Sequence, residues 1–553
     1  MTRPLVWSRL ARDHTGGVAT EGAHASGRVR TTAWGVDELA SSIAELAFEV
    51  LEFPVAVTTD LADVGLEPSG AIRLAAHAYQ EFGLPLSVAG VYAGRTPIGI
   101  AAALLGRGTS PITGRIDLAG GPGVPSTAWD DGAPGGAGRP TEGVSLLYTA
   151  TGDSEISPAR LTSALRGLAA RQAVLRTRPI GAGSPARPPG GLPDWGLLDV
   201  DLVPVPDTGW EALQEALDLA ARAAREEFDT ERGPLARCTL YTWGGGRLLA
   251  VHLHRGVLDP WSLDAFEREL ERGYAAAHPG DVVDADGTGP RPEDARGPAA
   301  GPSYGLPMAS DRQVRPAAPP PIAWPARARP HDPDGRDDAA VESVLPVDEA
   351  LLTRLRSAAR DLGVSLTSLV FTAYARGLAE FTGRPEFLVG LTVSGRVEPW
   401  QETALGRREL TLRVRVRAVP GEPLVTLLRR CDRQVLLSAD HGWWSGTTDS
   451  PGSRPDIGGA PPVQASLCVE PGTPARPLRL GPALLAPARM LRSAPAVDLT
   501  AELLRADRPY GGRRLLFTAD PSRIDARGLG QLAGAVGEAL ERLASDPDAG
   551  ATR

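Results

Sequence analysis

Two passages rich in glycine and proline divide the chain into separate stretches of regular sequence. Residues 107–141 include GGPGVPSTAWDDGAPGGAGRP, and residues 280–338 include RPAAPPPIAWPARARPHDPDGRDD. Such sequences interrupt helix and strand periodicity and bury too few apolar side chains to form a core. We therefore predict a linker at 107–141 and a connecting segment at 280–338 that runs over a surface. Residues 1–35 are polar and aperiodic, and we expect them to form a flexible tail.

Residues 36–106 show helical rather than strand periodicity. Leu39, Ile43, Leu46 and Val50 recur at helical spacing, which predicts a first helix with one buried face. A second helix is predicted over 68–82, with proline at a permitted first-turn position. The sequence TPIGIAAALLG predicts a third helix that ends at a glycine. Together these patterns predict a small all-α bundle.

The stretches 142–279 and 339–548 alternate between strand and helix patterns. SLLYTAT predicts a strand and PARLTSALRGLAARQAVLRT a helix, and after residue 339 a strand precedes DEALLTRLRSAARDLG and SLTSLVFTAYARGLAEFTG. More strands and a closing helix, DARGLGQLAGAVGEALERLAS, follow. The buried face of the 142–279 helix is predicted to be Leu161, Leu165, Leu168 and Val174. This alternation predicts two α/β lobes.

Charge and cysteine content exclude several classes of protein. The net charge of -9 argues against a nucleic-acid binder, which would present a basic surface to phosphates. The three cysteines, Cys238, Cys431 and Cys468, are far apart and odd in number, as expected in a reducing compartment. No apolar run reaches about 18 residues, and no signal-peptide pattern opens the chain. We expect a cytoplasmic protein that binds neither membrane nor nucleic acid.

The most distinctive motif is VHLHRGVLDPWSLDAFEREL, residues 251–270. An alternating, strand-like run ends at His254, and an amphipathic pattern typical of a helix follows. His252 and His254 are two residues apart, so both project from one face of the strand. Because no third ligand with suitable spacing lies nearby, we predict no metal site.

Six segments resemble the condensation domain of nonribosomal peptide synthetases and occur in that family's order. They are RQAVLRTR (171–178), EEFDTERGPLARCTLY, FLVGLTVSGR (387–396), LTLRVRV, VDLTAELL and LASDPDA. The resemblance covers residues from about 142 to 548. It implies the two-lobed α/β fold shared with chloramphenicol acetyltransferase, with an N-lobe at 142–279 and a C-lobe at 339–548.

The family's catalytic signature is His-His-x-x-x-Asp-Gly followed by Trp-Ser, and it matches residues 254–262. His254 and Asp259 are kept, whereas Arg255 replaces the second His and Pro260 the Gly. In the family, the second His faces a tunnel between the lobes and positions or deprotonates the attacking amine. Arginine stays charged and has no acceptor lone pair, so it cannot take that role. His254 would be structural or directly catalytic, and Arg255 would hold an anion or carbonyl in the tunnel or form a salt bridge across the lobes.

The resemblance also implies structural roles around the signature. Asp259 is expected to pair with Arg176 of the LRTR segment and to shape the loop that Trp261 and Ser262 complete. Gln172 and its neighbour Ala173 stand where the family has His-Glu.

Residues 65–76, GLEPSGAIRLAA, resemble the acyl or peptidyl carrier consensus Gly-Gly-Asp-Ser-Leu-x-Ala-x-Arg-Leu. A gap-free alignment puts Pro68 where the phosphopantetheine-bearing Ser belongs, and proline has no hydroxyl. Ser69 is adjacent but turned by about 100° around a helix. A proline that opens a helix, with Ser69 as an ordinary first-turn residue, is the simpler interpretation. We expect phosphopantetheine on partner carriers and no cofactor on this chain.

These observations lead to three hypotheses for function. The first is a degenerate carrier-condensation didomain that acts in trans in nonribosomal peptide biosynthesis. It would bind carrier-tethered intermediates, or recruit a tailoring enzyme, as condensation-like domains with a His-Arg-x-x-x-Asp-Asp signature recruit haem monooxygenases; here Pro260 replaces the second Asp. The second is an unusual enzyme that forms an amide or ester, or cyclises a peptide, with a substrate amine reactive enough to need no His and a tunnel that supplies proximity. The third is a remnant without a role. The first two would depend on carrier domains and other synthetase proteins for activated substrates.

Overall fold

The computed structural model describes a defined part of the chain. It comprises residues 34–84, 86–106, 143–151, 155–176, 200–226, 228, 235–254, 257–277, 322–325, 340–396, 401, 404–406, 408–445, 463–469, 477–492, 497–505 and 513–545. The predicted linker at 107–141, and all but the last two residues of the predicted tail, lie outside these ranges.

Four helices form the N-terminal helical segment, residues 36–106. They are α1 (Val36–Leu51), α2 (Pro68–Phe82), α3 (Val88–Gly94) and α4 (Pro97–Gly106). The three helices that periodicity predicts are present, and α3 is additional. Helix α2 ends at Gly83, whose positive φ of 67° is a conformation that glycine adopts without strain.

The first of the two predicted α/β stretches, 142–279, follows this segment. Its elements are β1 (Gly143–Thr151), α5 (Pro158–Arg171), β2 (Val200–Thr208), α6 (Gly209–Ala223), β3 (Ala236–Gly244), β4 (Gly246–His254) and α7 (Ser262–Ala276). Helix α5 ends before Val174, which the sequence placed on the helix. Gln172 has extended backbone angles, and a short 3-10 turn, Ala173–Arg176, follows it.

The second half begins after the connecting segment. Its elements are β5 (Val341–Val347), α8 (Glu349–Leu362), α9 (Leu366–Thr382), β6 (Glu386–Ser394), β7 (Glu409–Arg417), α10 (Leu424–Ser445), β8 (Ala465–Cys468), β9 (Leu478–Leu480), β10 (Ala483–Arg492), β11 (Leu499–Arg505), β12 (Arg513–Ala519) and α11 (Ala526–Ser545). The predicted helix pair and closing helix correspond to α8, α9 and α11.

The strands of the described residues form two mixed six-stranded sheets, with strand orders β2-β3-β4-β1-β10-β9 and β5-β12-β11-β8-β6-β7. We call the first sheet with α5, α6 and α7 the first lobe, and the second sheet with α8 to α11 the second lobe. Strand β10 pairs antiparallel with β1, which brings residues 478–492 into the first lobe. The predicted C-lobe, 339–548, includes these residues, because local periodicity does not reveal a strand's partner.

Each lobe buries helices against its sheet. In the first lobe, Leu161, Leu165 and Leu168 of α5 lie in one core with side chains of α7 and the strands, as predicted. A smaller core lies between α6 and side chains of β1, β2, β3 and β4. In the second lobe, α9 and α11 cross so closely that a Cβ added at Gly377 would lie 2.5 Å from Val536 Cγ2. Only glycine allows that approach.

A short piece of the predicted connecting segment is described, and it binds the second lobe. The side-chain amide of Gln464 accepts a hydrogen bond from the Ile322 N–H at 2.5 Å and donates to the Ile322 carbonyl at 3.3 Å. The Trp324 indole N–H donates to Asp498 Oδ2 at 2.8 Å. The segment is therefore fixed at this point.

Among the described residues, no single helix is long and apolar enough to cross a membrane. Two sharply bent pairs, α3 with α4 and α8 with α9, meet that requirement only when their helices are counted together.

Candidate functional site

His254, the first histidine of the signature, is the last residue of β4, between β1 and β3 in the first sheet. Its backbone N–H donates to the Leu235 carbonyl at 2.9 Å. Its ring is buried and meets the Phe228 ring edge-on, with 5.5 Å between centroids. This packed setting fits the structural interpretation of His254.

Arg237 extends the same cluster. Its guanidinium carbon lies 4.4 Å from the centroid of the Phe228 ring, and Nη2 donates to the Glu226 carbonyl at 2.6 Å. An arginine over an aromatic face gains a favourable cation–π interaction. These contacts connect β3 to the chain that follows α6 and leave Phe228 fixed against His254.

His252 makes a separate buried hydrogen bond. Its Nδ1 lies 2.7 Å from Ser145 Oγ on the neighbouring strand. Burial, reinforced by the nearby Arg237, lowers the pKa of His252 to about 4, so the imidazole is neutral near pH 7. Within the described ranges, no three histidine, cysteine or acidic side chains are grouped to hold a metal ion.

The centre of the site is an ion pair between Asp259 and Arg396. Arg396 Nη1 donates to Asp259 Oδ2 at 2.6 Å, and the two side chains are 1% and 0% exposed. The same oxygen accepts from the Arg408 backbone N–H at 2.8 Å, while Asp259 Oδ1 accepts from the Ser262 N–H at 2.8 Å. Arg396 follows β6, so this pair joins the signature loop to the second half of the chain.

Ser262 and a backbone carbonyl complete the network. Arg396 Nη2 donates to Ser262 Oγ at 2.8 Å and to the Gly406 carbonyl at 3.2 Å. Ser262 Oγ also lies 2.8 Å from Asp259 Oδ1 and 3.0 Å from the Gly406 carbonyl. The planar guanidinium suits this role because its fixed donors reach several acceptors at once.

A second contact joins the lobes beside this network. The Leu405 backbone N–H donates to Gln172 Oε1 at 3.1 Å, and the Leu405 side chain lies in the core of the first lobe. The chain between β6 and β7 therefore inserts into the first lobe. Gln172, which replaces a histidine of the family pattern, has a structural contact across the lobes.

The structure gives Asp259 a partner that the sequence analysis did not single out. The expected partner, Arg176, has its side chain outside the described residues, so that pairing is not tested; the described partner is Arg396. One signal could have identified it: Arg396 ends the apolar strand motif FLVGLTVSGR. An arginine buried after such a strand requires a carboxylate.

The remaining predicted residues fall into two groups. Trp261 is half-buried at the start of α7, and Pro68 and Ser69 lie at the start of α2, where Pro68 is buried and Ser69 half-buried. Arg255, at the position of the reactive histidine, lies outside the described residues.

Both oxygens of the Asp259 carboxylate accept hydrogen bonds from protein donors. Its geometry is that of a structural anion rather than a proton acceptor for a substrate.

Solved structures share this arrangement of two lobes. A chain from the complex of the X-domain and OxyB from teicoplanin biosynthesis matches with a TM-score of 0.54 at 21% identity, over 79% of this chain and 97% of that chain. The starter condensation domain of rhizomide synthetase RzmA matches with a TM-score of 0.55 at 17% identity, over 74% and 91%. The condensation domain of the Monacolin K polyketide synthase MokA matches with a TM-score of 0.52 at 18% identity, over 74% and 93%. The chain has the condensation-domain fold.

Curated relatives of this condensation-fold chain include peptide synthetases, although no family model matches it. Phosphinothricin tripeptide synthetase PhsC of Streptomyces viridochromogenes is 30% identical over 312 residues, which are 55% of this chain and 28% of the relative. AMB antimetabolite synthetase AmbE of Pseudomonas aeruginosa is 32% identical over 254 residues, 43% and 11% of the two chains. The match spans less than a third of either relative. The chain is therefore similar in sequence to parts of these synthetases and has the fold of condensation domains.

Proposed function

We propose that this chain takes part in nonribosomal peptide biosynthesis as a binding component that acts in trans. In this proposal, the condensation fold holds a carrier-tethered intermediate or recruits a partner enzyme. It does not form amides with histidine assistance.

One observation carries the proposal: the signature keeps its structural half and lacks its reactive half. Asp259 and Arg396 are buried and paired at 2.6 Å, with Ser262 between them. Arg255 stands where the reactive histidine belongs, and a guanidinium cannot accept the proton of an attacking amine. Asp259 and Ser262 are held in place, whereas the position of the family's general base carries an arginine.

The relatives and structural neighbours support the classes of partner. The curated relatives include peptide synthetases, and one neighbour is an X-domain in complex with OxyB. A carrier domain with a tethered peptide and a tailoring enzyme are therefore the two partners to test first. In this chain Pro260 replaces the second Asp of the His-Arg-x-x-x-Asp-Asp signature, so the contacts with a tailoring enzyme would differ from that pattern.

A binding and turnover experiment tests the proposal. Purified chain is titrated with pathway carrier domains, both with and without a loaded peptidyl phosphopantetheine, and the same mixtures are analysed by mass spectrometry for new amide or ester products. We expect saturable binding of the loaded carrier and no product. Arg255→Ala should weaken binding about tenfold or more, which corresponds to about 1.4 kcal/mol. Arg527→Ala, an exposed arginine at the start of α11, is the matched control and should bind as the wild type does.

The opposite result is equally specific. If the wild type converts loaded carriers into product and Arg255→Ala abolishes that conversion, the binding role is wrong. The chain would then be an unusual condensation enzyme that relies on proximity and on Arg255. If the chain binds neither loaded carriers nor tailoring enzymes of the pathway, the proposal also fails.

A further inference from the structure

Two helices, α3 of the N-terminal helical segment and α9 of the second lobe, begin with the same arrangement of hydrogen bonds. The first turn of any helix leaves backbone N–H groups without partners inside the helix. In both helices, a serine at the N-cap satisfies the third N–H. A carboxylate from the opposite side of the contact satisfies the first two.

At α9, the carboxylate comes from the N-terminal helical segment. Ser365 Oγ accepts from the Ser368 N–H at 2.9 Å. The Leu366 N–H donates to Glu67 Oε1 at 3.1 Å, and the Thr367 N–H donates to Glu67 Oε2 at 3.0 Å. Each oxygen of Glu67 thus binds one backbone donor of a helix about 300 residues away in sequence.

At α3, the direction is reversed. Ser87 Oγ accepts from the Gly90 N–H at 2.9 Å. The Val88 N–H donates to Asp440 Oδ1 at 2.5 Å, and the Ala89 N–H donates to Asp440 Oδ2 at 3.4 Å. Asp440 belongs to α10 of the second lobe, so each side supplies one carboxylate and receives one.

Glu67 connects the contact between the N-terminal helical segment and the second lobe to the start of α2. Glu67 is the N-cap residue of α2, yet its side chain makes no cap hydrogen bond to that helix. It caps α9 instead, and Pro68 beside it is buried. A carboxylate near a helix N-terminus also gains from the partial positive charge there. An exposed ion pair, Asp63 with Arg360 at 3.3 Å, lies at the same contact and adds little.

We propose that these reciprocal caps hold the N-terminal helical segment permanently docked on the second lobe, and that the docking encloses the start of α2. The segment is then a fixed part of the body and not a swinging carrier. The surface formed by the start of α9 and by Asp440 is already occupied, so a partner carrier binds elsewhere. The docking itself does not depend on the proposed function.

Hydrogen exchange on the full chain tests the docking. Glu67→Ala removes the carboxylate that caps the first two N–H groups of α9, and Asp440→Ala removes the one at α3, while Ser365 and Ser87 remain. If the caps act together, each variant speeds exchange of the amides at both helix starts by about fivefold to thirtyfold, as loss of a strong cap does. Glu49→Ala, an exposed acid on α1, is the control and should change neither. Acceleration confined to the helix whose own cap is removed would overturn the proposal, because the caps would then be local features.

A loading experiment provides a second, independent readout, and this arm uses the carrier resemblance of residues 65–76. Pro68→Ser supplies the missing hydroxyl, and a broad-specificity phosphopantetheinyl transferase with coenzyme A is the probe. Intact-mass spectrometry should find Pro68→Ser unmodified, and the triple variant with Glu67→Ala and Asp440→Ala modified. Modification of Pro68→Ser alone at the rate of the triple variant would show that docking does not enclose the site. If the triple variant stays unmodified although its helix starts exchange freely, something other than docking prevents modification at position 68.

Discussion

The buried pair of Asp259 and Arg396 makes the sharpest prediction about stability. Arg396→Met removes the Nη1 donor 2.6 Å from Asp259 and the Nη2 donors to Ser262 and Gly406. The Asp259 carboxylate then remains buried with backbone and hydroxyl donors but without its ion pair with Arg396, although the nearby charge of Arg408 still acts on it. Breaking a buried pair by removing one partner costs about 3–5 kcal/mol. That is a large share of the roughly 5–15 kcal/mol by which domains are stable.

Asp259→Asn tests the same pair from the other side. The substitution replaces one carboxylate oxygen by an NH₂ group, which then faces hydrogen-bond donors instead of acceptors. Those donors are Arg396 Nη1 and the Arg408 N–H at one oxygen position, and the N–H and hydroxyl of Ser262 at the other. We expect a similar loss of about 3–5 kcal/mol. Because the two residues act on each other, the double variant should lose less than the sum, by about 2 kcal/mol.

Urea unfolding followed by circular dichroism measures these effects. With a slope of about 3 kcal/mol per molar urea, a loss of 3 kcal/mol lowers the midpoint by about 1 M. Arg354→Met is the matched control, since it breaks an ion pair with Glu541 in which the side chains are 49% and 58% exposed. That change should cost less than about 1 kcal/mol. Equal midpoints for Arg396→Met and Arg354→Met, or strictly additive losses in the double variant, would refute the reasoning.

Three further predictions concern single positions. His252 stays neutral in the folded protein down to about pH 4 but takes a proton in the unfolded chain below its ordinary pKa of 6.5. Its contribution to stability is therefore complete above pH 6.5 and falls by up to about 3 kcal/mol as the pH drops to 4. In a plot of unfolding midpoint against pH, His252→Gln should have a smaller slope than the wild type over this range. An unchanged slope would contradict this prediction. Gly377→Ala should destabilise the protein by about 1–3 kcal/mol because its new Cβ would lie 2.5 Å from Val536 of α11. Gly534→Ala, whose Cβ would meet nothing within 4 Å, should stabilise the protein by about 0.5–1 kcal/mol. If thermal unfolding ranks the two variants in the other order, α9 and α11 do not pack tightly at Gly377. Trp324→Phe keeps an aromatic ring but removes the indole N–H that donates to Asp498, so it should lower the free energy of unfolding by about 1.5–3 kcal/mol, measured by urea unfolding. No loss would mean that the segment is not fixed there.

Much of the local structure could be predicted from the sequence. The apolar spacing in residues 36–51 and 68–82 predicts helices that the structure has at those bounds, because such spacing gives a helix one apolar face to bury. The strand motif at 387–396 corresponds to β6, and VDLTAELL to β11. Local pattern failed at the end of α5, where Val174 continues the apolar spacing but the backbone at Gln172 is already extended. Periodicity describes what a segment can bury and not where its hydrogen bonds stop.

The candidate site divides in the same way. Compared with the family's signature, the residue identities at 254–262 predict that the reactive histidine is replaced and that His254 and Asp259 are kept. They could not show that Asp259 pairs with Arg396, which lies 137 residues later. An ion pair needs two side chains within about 4 Å, and only the folded chain determines which distant residues come so close.

By itself, the sequence determined the helices and strands, the two α/β stretches and the changed signature, since each of these is written in neighbouring residues. Only the tertiary structure decided three features: β10 joins the first sheet beside β1, Arg396 and Gln172 connect the lobes, and Glu67 and Asp440 cap helices on opposite sides of one contact. Each of these is a hydrogen bond or ion pair between groups far apart in sequence. When the lobes pack, buried polar groups lose their hydrogen bonds to water and must find partners within the protein. A local sequence pattern does not show which distant groups become those partners.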